Sequence, residues 1–116
     1  MMRTFATAAL VVLTVAIAWS SLTPEISVSL LIPWDKAKHF LGFFGLALLA
    51  VTAFPRKPLL WIGLALMAYG GAIEIAQGFV GRDRDLFDWA ADGAGILACF
   101  AGMAASWARS PLRPQA

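Results

Sequence analysis

Residues 59–80 read LLWIGLALMAYGGAIEIAQGFV, twenty-two positions with one formal charge, at Glu74. An α-helix rises 1.5 Å per residue, so about 20 mainly apolar residues cross the roughly 30 Å of a bilayer's hydrocarbon. A helix lying on a soluble core would show a broad polar face. Here only Tyr69, Glu74 and Gln77 interrupt the apolar run. This stretch reads as a membrane span, and three others in the chain resemble it.

The spans fall at about 4–22, 36–54, 59–80 and 88–107. The first carries no charge after Arg3. The second is apolar only from His39 to Phe54, so it needs Asp35–Lys38 as a helical first turn in the headgroups. Asp92 lies near the start of the fourth. Pro24 and Pro33 bracket the first connection, and Pro55 and Pro58 the second, where a helix cannot easily continue. Trp19, Trp34, Trp61, Trp89 and Trp107 fall near span ends, where an amphipathic ring suits the interface. The expected fold is all-α, a single membrane domain over 1–116 with four transmembrane helices, short loops and a basic surface tail at 109–116.

Composition agrees with this reading. The chain of 116 residues is 60% hydrophobic and 14% charged, against about 45–50% and about 25% in a soluble domain. So few charges cannot cover the surface of a small soluble domain. The net charge of +2 is spread along the chain, which excludes the clustered basic footprint of a nucleic-acid binder. The single cysteine, Cys99, sits in an apolar run and reads as a packing residue; no intrachain disulfide can form. Gly42, Gly45, Gly70, Gly71, Gly93, Gly95 and Gly102 interrupt the apolar helices and read as packing devices, compatible with self-association into a homo-oligomer. Ala16-Ile17-Ala18 also fits the pattern that closes a signal peptide, but the apolar run is long for a signal core, so a retained helix is expected.

Lys and Arg set the orientation. With the N-terminus inside, Arg3, Arg56, Lys57, Arg109 and Arg113 are cytoplasmic, and Lys36, Lys38, Arg82 and Arg84 are outside. The first group is unneutralised, whereas each outer base has an acid nearby. Both termini are therefore expected in the cytoplasm.

The polar residues gather at one face. Asp35 and His39 are four apart on the second helix; Glu74 and Gln77 are three apart on the third. Asp85, Asp88 and Asp92 follow at spacings of three and four on the fourth, after Arg82 and Arg84. With four spans, alternate loops share a side, so all three clusters meet there in either orientation. A carboxylate within a span costs about 2.5–3.5 kcal/mol on insertion scales and faces protein or a water-filled cavity. Glu74 should look inward, with Arg82, His39 or Lys38 as partner. The expected result is a polar pocket of Asp35, Lys36, His39, Glu74, Gln77, Arg82, Asp88 and Asp92. Plainer uses exist beside it: Asp35 as a helix cap, Lys36 and Lys38 as interfacial charges, His39 as a structural hydrogen-bonding residue, Glu74–Arg82 as a structural ion pair. Glu74 fits the plain account least, because a span does not need a carboxylate to fold.

Asp35-Lys36-x-x-His39-Phe40, Glu74-x-x-Gln77-x-Phe79, Gly81-Arg82 and Asp88-x-x-x-Asp92-x-x-Gly95 together resemble the VanZ-like family. The resemblance covers about Trp34 to Gly102 and rests on the ordered set, since no single piece is specific. In that family the position of Asp92 is commonly Asn, and the acids Asp83 and Asp85 make this loop unusually acidic. The resemblance implies a bacterial cytoplasmic-membrane protein of the cell envelope. The name-giving member is associated with low-level resistance to a glycopeptide antibiotic, but most relatives sit outside resistance clusters, so a general envelope role is the expectation.

Three functions fit these residues. In the leading one, the pocket binds the polar headgroup of a membrane lipid or lipid-linked envelope intermediate, with Lys36, Lys38 and Arg82 on phosphate or carboxylate. In the second, the chain is a membrane enzyme with His39 as general acid/base, Asp35 or Glu74 orienting it and Arg82 stabilising an anion. Cys99 lies toward the wrong end to be its nucleophile. Proton or ion transport is third, since intramembrane acids often mark such paths, although no polar trail continues through the other half. No cofactor is implied; the Asp, Glu and His side chains could hold a divalent ion, but their spacing matches no established metal motif.

Overall fold

The computed structural model describes residues 1–22, 35–81 and 86–108. Four helices account for nearly all of them: α1 (Met2–Leu22), α2 (Asp35–Ala53), α3 (Leu59–Phe79) and α4 (Leu86–Ala108). No strand occurs among the described residues. Each helix is long and apolar enough to cross a membrane. The chain is an all-α, membrane-spanning four-helix bundle. The helices begin and end within two residues of the expected span limits, and α2 starts at Asp35, so its first turn is helical.

Local chemistry explains the ends. Pro58 stands just before α3, where its missing N–H costs nothing, and its carbonyl accepts from Trp61 N–H at 3.1 Å and Ile62 N–H at 3.2 Å. At the other end Val80 N–H still reaches the Ala76 carbonyl at 3.2 Å. Gly81 then takes φ +80, the left-handed step that releases the chain from a helix and that glycine adopts without strain.

The helices alternate in direction. Arg3, in the first turn of α1, donates from Nε to the Ala53 carbonyl at the end of α2, 3.4 Å away. At the opposite end, Gln77 of α3 donates to the Ser21 carbonyl of α1 at 3.0 Å, and Lys36 of α2 meets Asp88 of α4. Between these ends, the Tyr69 hydroxyl donates to the Thr14 carbonyl and fastens α3 to α1.

α2 is the central helix, packed most extensively on α4 and next on α1. Phe43, Leu46 and Ala47 of α2 meet Ile96 and Cys99 of α4 in the buried core. Water does not drive this contact in a bilayer; close packing does. Small residues make it possible. A methyl at Gly95 would land on the Phe40 carbonyl oxygen, with Phe44 N at 3.0 Å, so the two backbones touch there. Phe5, Val12, Leu60, Trp61, Leu64 and Leu97 point outward from the bundle, an apolar exterior suited to lipid.

Candidate functional site

Each inner helix carries one inward stripe that turns from apolar to polar towards the same end of the bundle. On α4 the stripe runs Cys99, Ile96, Gly95, Asp92, Asp88; on α3 it runs Gly70, Ile73, Glu74, Gln77. On α2 it runs Leu46, Phe43, His39, Lys36. The spacing of three and four keeps each stripe on one helix face, so antiparallel packing stacks the polar ends together.

His39 is the centre. Its Nδ1 lies 2.7 Å from Asp92 Oδ1, and its Nε2 lies 3.7 Å from Asp88 Oδ2. Two aspartates one turn apart on α4 therefore bracket one imidazole. The other Asp88 oxygen, Oδ1, meets Lys36 Nζ at 3.4 Å. Asp92 is 1% exposed, Asp88 6% and Glu74 7%. The imidazole is largely covered, while a third of the Lys36 side chain stays open. Carboxyl groups this buried need partners, and removing one member of such a pair costs about 3–5 kcal/mol.

α3 closes the cluster from the third side. A methyl at Gly70 would stand 2.6 Å from Asp92 Oδ2 and 3.2 Å from Phe43 Cζ. The absence of a side chain at Gly70 is what lets Asp92 enter between α2 and α3. One turn on, Glu74 joins His39 and Asp88; one donor atom from each falls within 4.8 Å of the other two. Gln77 follows, its amide nitrogen on Ser21 and its Oε1 buried without a hydrogen-bond partner among the described residues.

Lys36 also borders an apolar groove on the outer side of α2 and α4. Ala37, Phe40 and Leu41 form one wall, Phe87, Ala90, Ala91 and Ala94 the other, around roughly 640 Å³. Three alanines on α4 leave this space. Phe40 stacks on Phe44 with ring centroids 6.5 Å apart, which holds the α2 wall in place.

Lys36, His39, Glu74, Gln77, Asp88 and Asp92 of the expected pocket thus stand at one end of the bundle. Asp35 opens α2, but its side chain, like all of Arg82, Asp83, Arg84 and Asp85, lies outside the described residues, so the expected Glu74–Arg82 pair does too. Trp34 and the tail are also outside. Of the two residues expected to orient His39, Asp35 has its side chain outside the described residues and Glu74 stands within 4.8 Å; Asp92 is at hydrogen-bond distance from Nδ1. Gly70 and Trp89 do more than the sequence indicates. Trp89 lies near a span end, and its indole N–H also donates to the Met67 carbonyl at 3.0 Å while its ring covers Gly71. The signal available was the pairing of a large ring on one helix with a glycine on its neighbour.

Comparison with protein-family models, curated proteins and solved structures gives no match.

Proposed function

We propose that this chain is a VanZ-like protein of the bacterial cytoplasmic membrane that binds an anionic envelope lipid or lipid-linked headgroup at its outer face, both termini being cytoplasmic. One observation carries the reading: Lys36 is shared between a buried polar cluster and an apolar groove. A chain-bearing phosphate needs that combination. The acyl or prenyl chain lies along Phe40, Leu41, Ala91 and Ala94, and the Lys36 ammonium takes the phosphate through charge-assisted hydrogen bonds. His39, Glu74 and Gln77 stand behind it to meet headgroup hydroxyls. The residues that carry the VanZ-like resemblance are largely those of this cluster, which ties the family reading to the same site.

Native mass spectrometry of the detergent-purified protein tests this. Wild type should retain a phospholipid or polyprenyl-linked species that Lys36→Ala, Glu74→Gln and the groove-filling Ala94→Trp lose. Lys57→Ala, at the opposite end, should keep it. Folded proteins that retain nothing, or retain the species equally in every variant, would remove the basis of the proposal.

The His39–Asp92 contact supports a second reading, a membrane enzyme. A carboxylate on Nδ1 fixes the ring and prepares Nε2 for proton transfer. Turnover of a polyprenyl phosphate by wild type, abolished in His39→Gln with binding retained, would favour it over binding alone.

A further inference from the structure

We propose that His39 Nε2, Glu74 and Asp88 form a binding site for a divalent cation of the zinc class, with Asp92 as its positioning residue. It shares His39 and Glu74 with the proposed headgroup site but uses neither Lys36 nor the apolar groove, so the two proposals can be tested apart.

The distances suit a shared ion. Nε2 and Asp88 Oδ2 are 3.7 Å apart, too long for a hydrogen bond between them. Two donors each about 2.1 Å from one ion, at a tetrahedral angle, stand about 3.4 Å apart. Glu74 offers its oxygen within 4.8 Å of both. Small side-chain rotations bring three donors to one ion and leave a fourth position for water or an anionic oxygen.

The second contact of His39 is the one that metal-bound imidazoles usually make. A ligating histidine places its other ring N–H on a carboxylate or carbonyl, which fixes the tautomer and ring plane. Asp92 Oδ1 lies 2.7 Å from Nδ1, so in the tautomer with its proton on Nδ1 the ring turns its Nε2 lone pair to the side of Asp88. Asp92 is held in turn, with its other oxygen against the bare backbone at Gly70.

Gln77 gives independent support. Its Oε1 is buried in a residue 5% exposed, one turn from Glu74 on the same face, and accepts no hydrogen bond from any described residue. Buried acceptors seldom lack a donor. A water on the ion would supply one. The donor types also narrow the ion: an imidazole with carboxylates suits zinc, whereas oxygen donors alone suit calcium or magnesium. A scan of sequence spacing misses the set because its members come from α2, α3 and α4.

Calorimetry on untagged, metal-depleted protein in detergent tests the site with Zn²⁺ as the probe. Wild type should bind one equivalent. His39→Ala, Glu74→Gln and Asp88→Asn should weaken binding at least tenfold, and the groove-filling Ala94→Trp should leave it within about threefold. That last variant separates the two proposals, since it should lose lipid and keep zinc. Asp92→Asn should weaken binding about 10–100-fold and shift the visible spectrum of the Co²⁺ form, with helix content unchanged. Should the ligand variants misfold, X-ray absorption of zinc-loaded wild type decides alone. One imidazole and two or three oxygens at about 2.0–2.2 Å are expected. Sulfur in the shell, no stoichiometric binding by wild type, or equal binding by folded ligand variants would overturn the site.

Discussion

Replacing Gly95 by alanine should separate the two central helices. The added methyl would meet the Phe40 carbonyl oxygen, with the Phe40 carbonyl carbon at 3.1 Å and Phe44 N at 3.0 Å. All three atoms are backbone, so no change of rotamer relieves the clash, and α2 and α4 must part by something like 1 Å. A gap of about 1 Å forfeits up to half of the dispersion energy across a contact, here the contact of Phe43, Leu46 and Ala47 with Ile96 and Cys99. Overpacking of this kind costs about 1–3 kcal/mol. The His39–Asp92 contact, at 2.7 Å and less than a turn away, would stretch with it, adding about 1–2 kcal/mol. Alanine's better helix propensity returns up to about 1 kcal/mol. The net loss is about 1–5 kcal/mol. Gly102 supplies the control: it lies on the same helix, and a methyl there meets nothing within 4 Å. Reversible unfolding in mixed micelles, followed by tryptophan fluorescence, should show Gly102→Ala equal to wild type or up to about 1 kcal/mol above it and Gly95→Ala clearly below wild type. Equal stability for the two variants would refute the close approach of α2 and α4.

Other consequences can be checked in the same preparation. Gly70→Ala places a methyl 2.6 Å from Asp92 Oδ2 and should displace the carboxyl, losing about 1–3 kcal/mol with a changed His39 ring resonance by NMR. Asp92→Ala removes the carboxylate from Nδ1 and should cost about 3–5 kcal/mol in the same unfolding assay, whereas Asp92→Asn keeps a hydrogen-bonding group and should lose less. Trp89→Phe deletes the N–H donated to the Met67 carbonyl and should cost about 1 kcal/mol. Cys99, 2% exposed in the core, should react with a maleimide only on unfolding in wild type, and faster in Gly95→Ala.

The bundle was largely legible because hydropathy over twenty residues is a coarse, additive signal. Four apolar runs marked four helices, and counting spans put Lys36, His39, Glu74 and Asp88 at one end without any knowledge of packing. Partner choice is a different kind of quantity. Whether His39 meets Asp35, Glu74 or Asp92 depends on how α2 and α4 are rotated and how closely they approach. That is decided by Gly95 against Phe40 and by Gly70 against Asp92, contacts between residues 55 and 22 apart in sequence. The glycines were visible as packing devices, but a glycine does not announce its opposite number. Asp92 was noticed as a departure from a family pattern; its contact with His39 follows only from three-dimensional placement. The groove beside Lys36 was missed for a similar reason. Ala90, Ala91 and Ala94 read as filler in a span until Phe40 and Leu41 of α2 are placed across from them.

The polar cluster and the tight packing depend on each other. A buried carboxyl at Asp92 is tolerable only with its partner within hydrogen-bond reach, and an apolar bilayer offers no water as a substitute. Reach requires α2 and α4 almost in backbone contact, which Gly95 permits one turn below the cluster. The contact in turn gains from His39–Asp92 and Lys36–Asp88, polar links between helices that have no hydrophobic drive to associate in lipid. Reducing polarity at Asp92 therefore loosens packing, and adding bulk at Gly95 disturbs the polar site. α1 has a lesser part in this coupling. It meets α2 through Gly42 against Ile17 and Gly45 against Leu13, where a methyl would stand 3.3 Å from the end of a side chain that can move. A glycine-to-alanine change on the α1 side is thus absorbed by a rotamer, whereas on the α4 side it reaches the site. The most extensively packed pair, α2 and α4, is also the pair that the His39–Asp92 and Lys36–Asp88 contacts join.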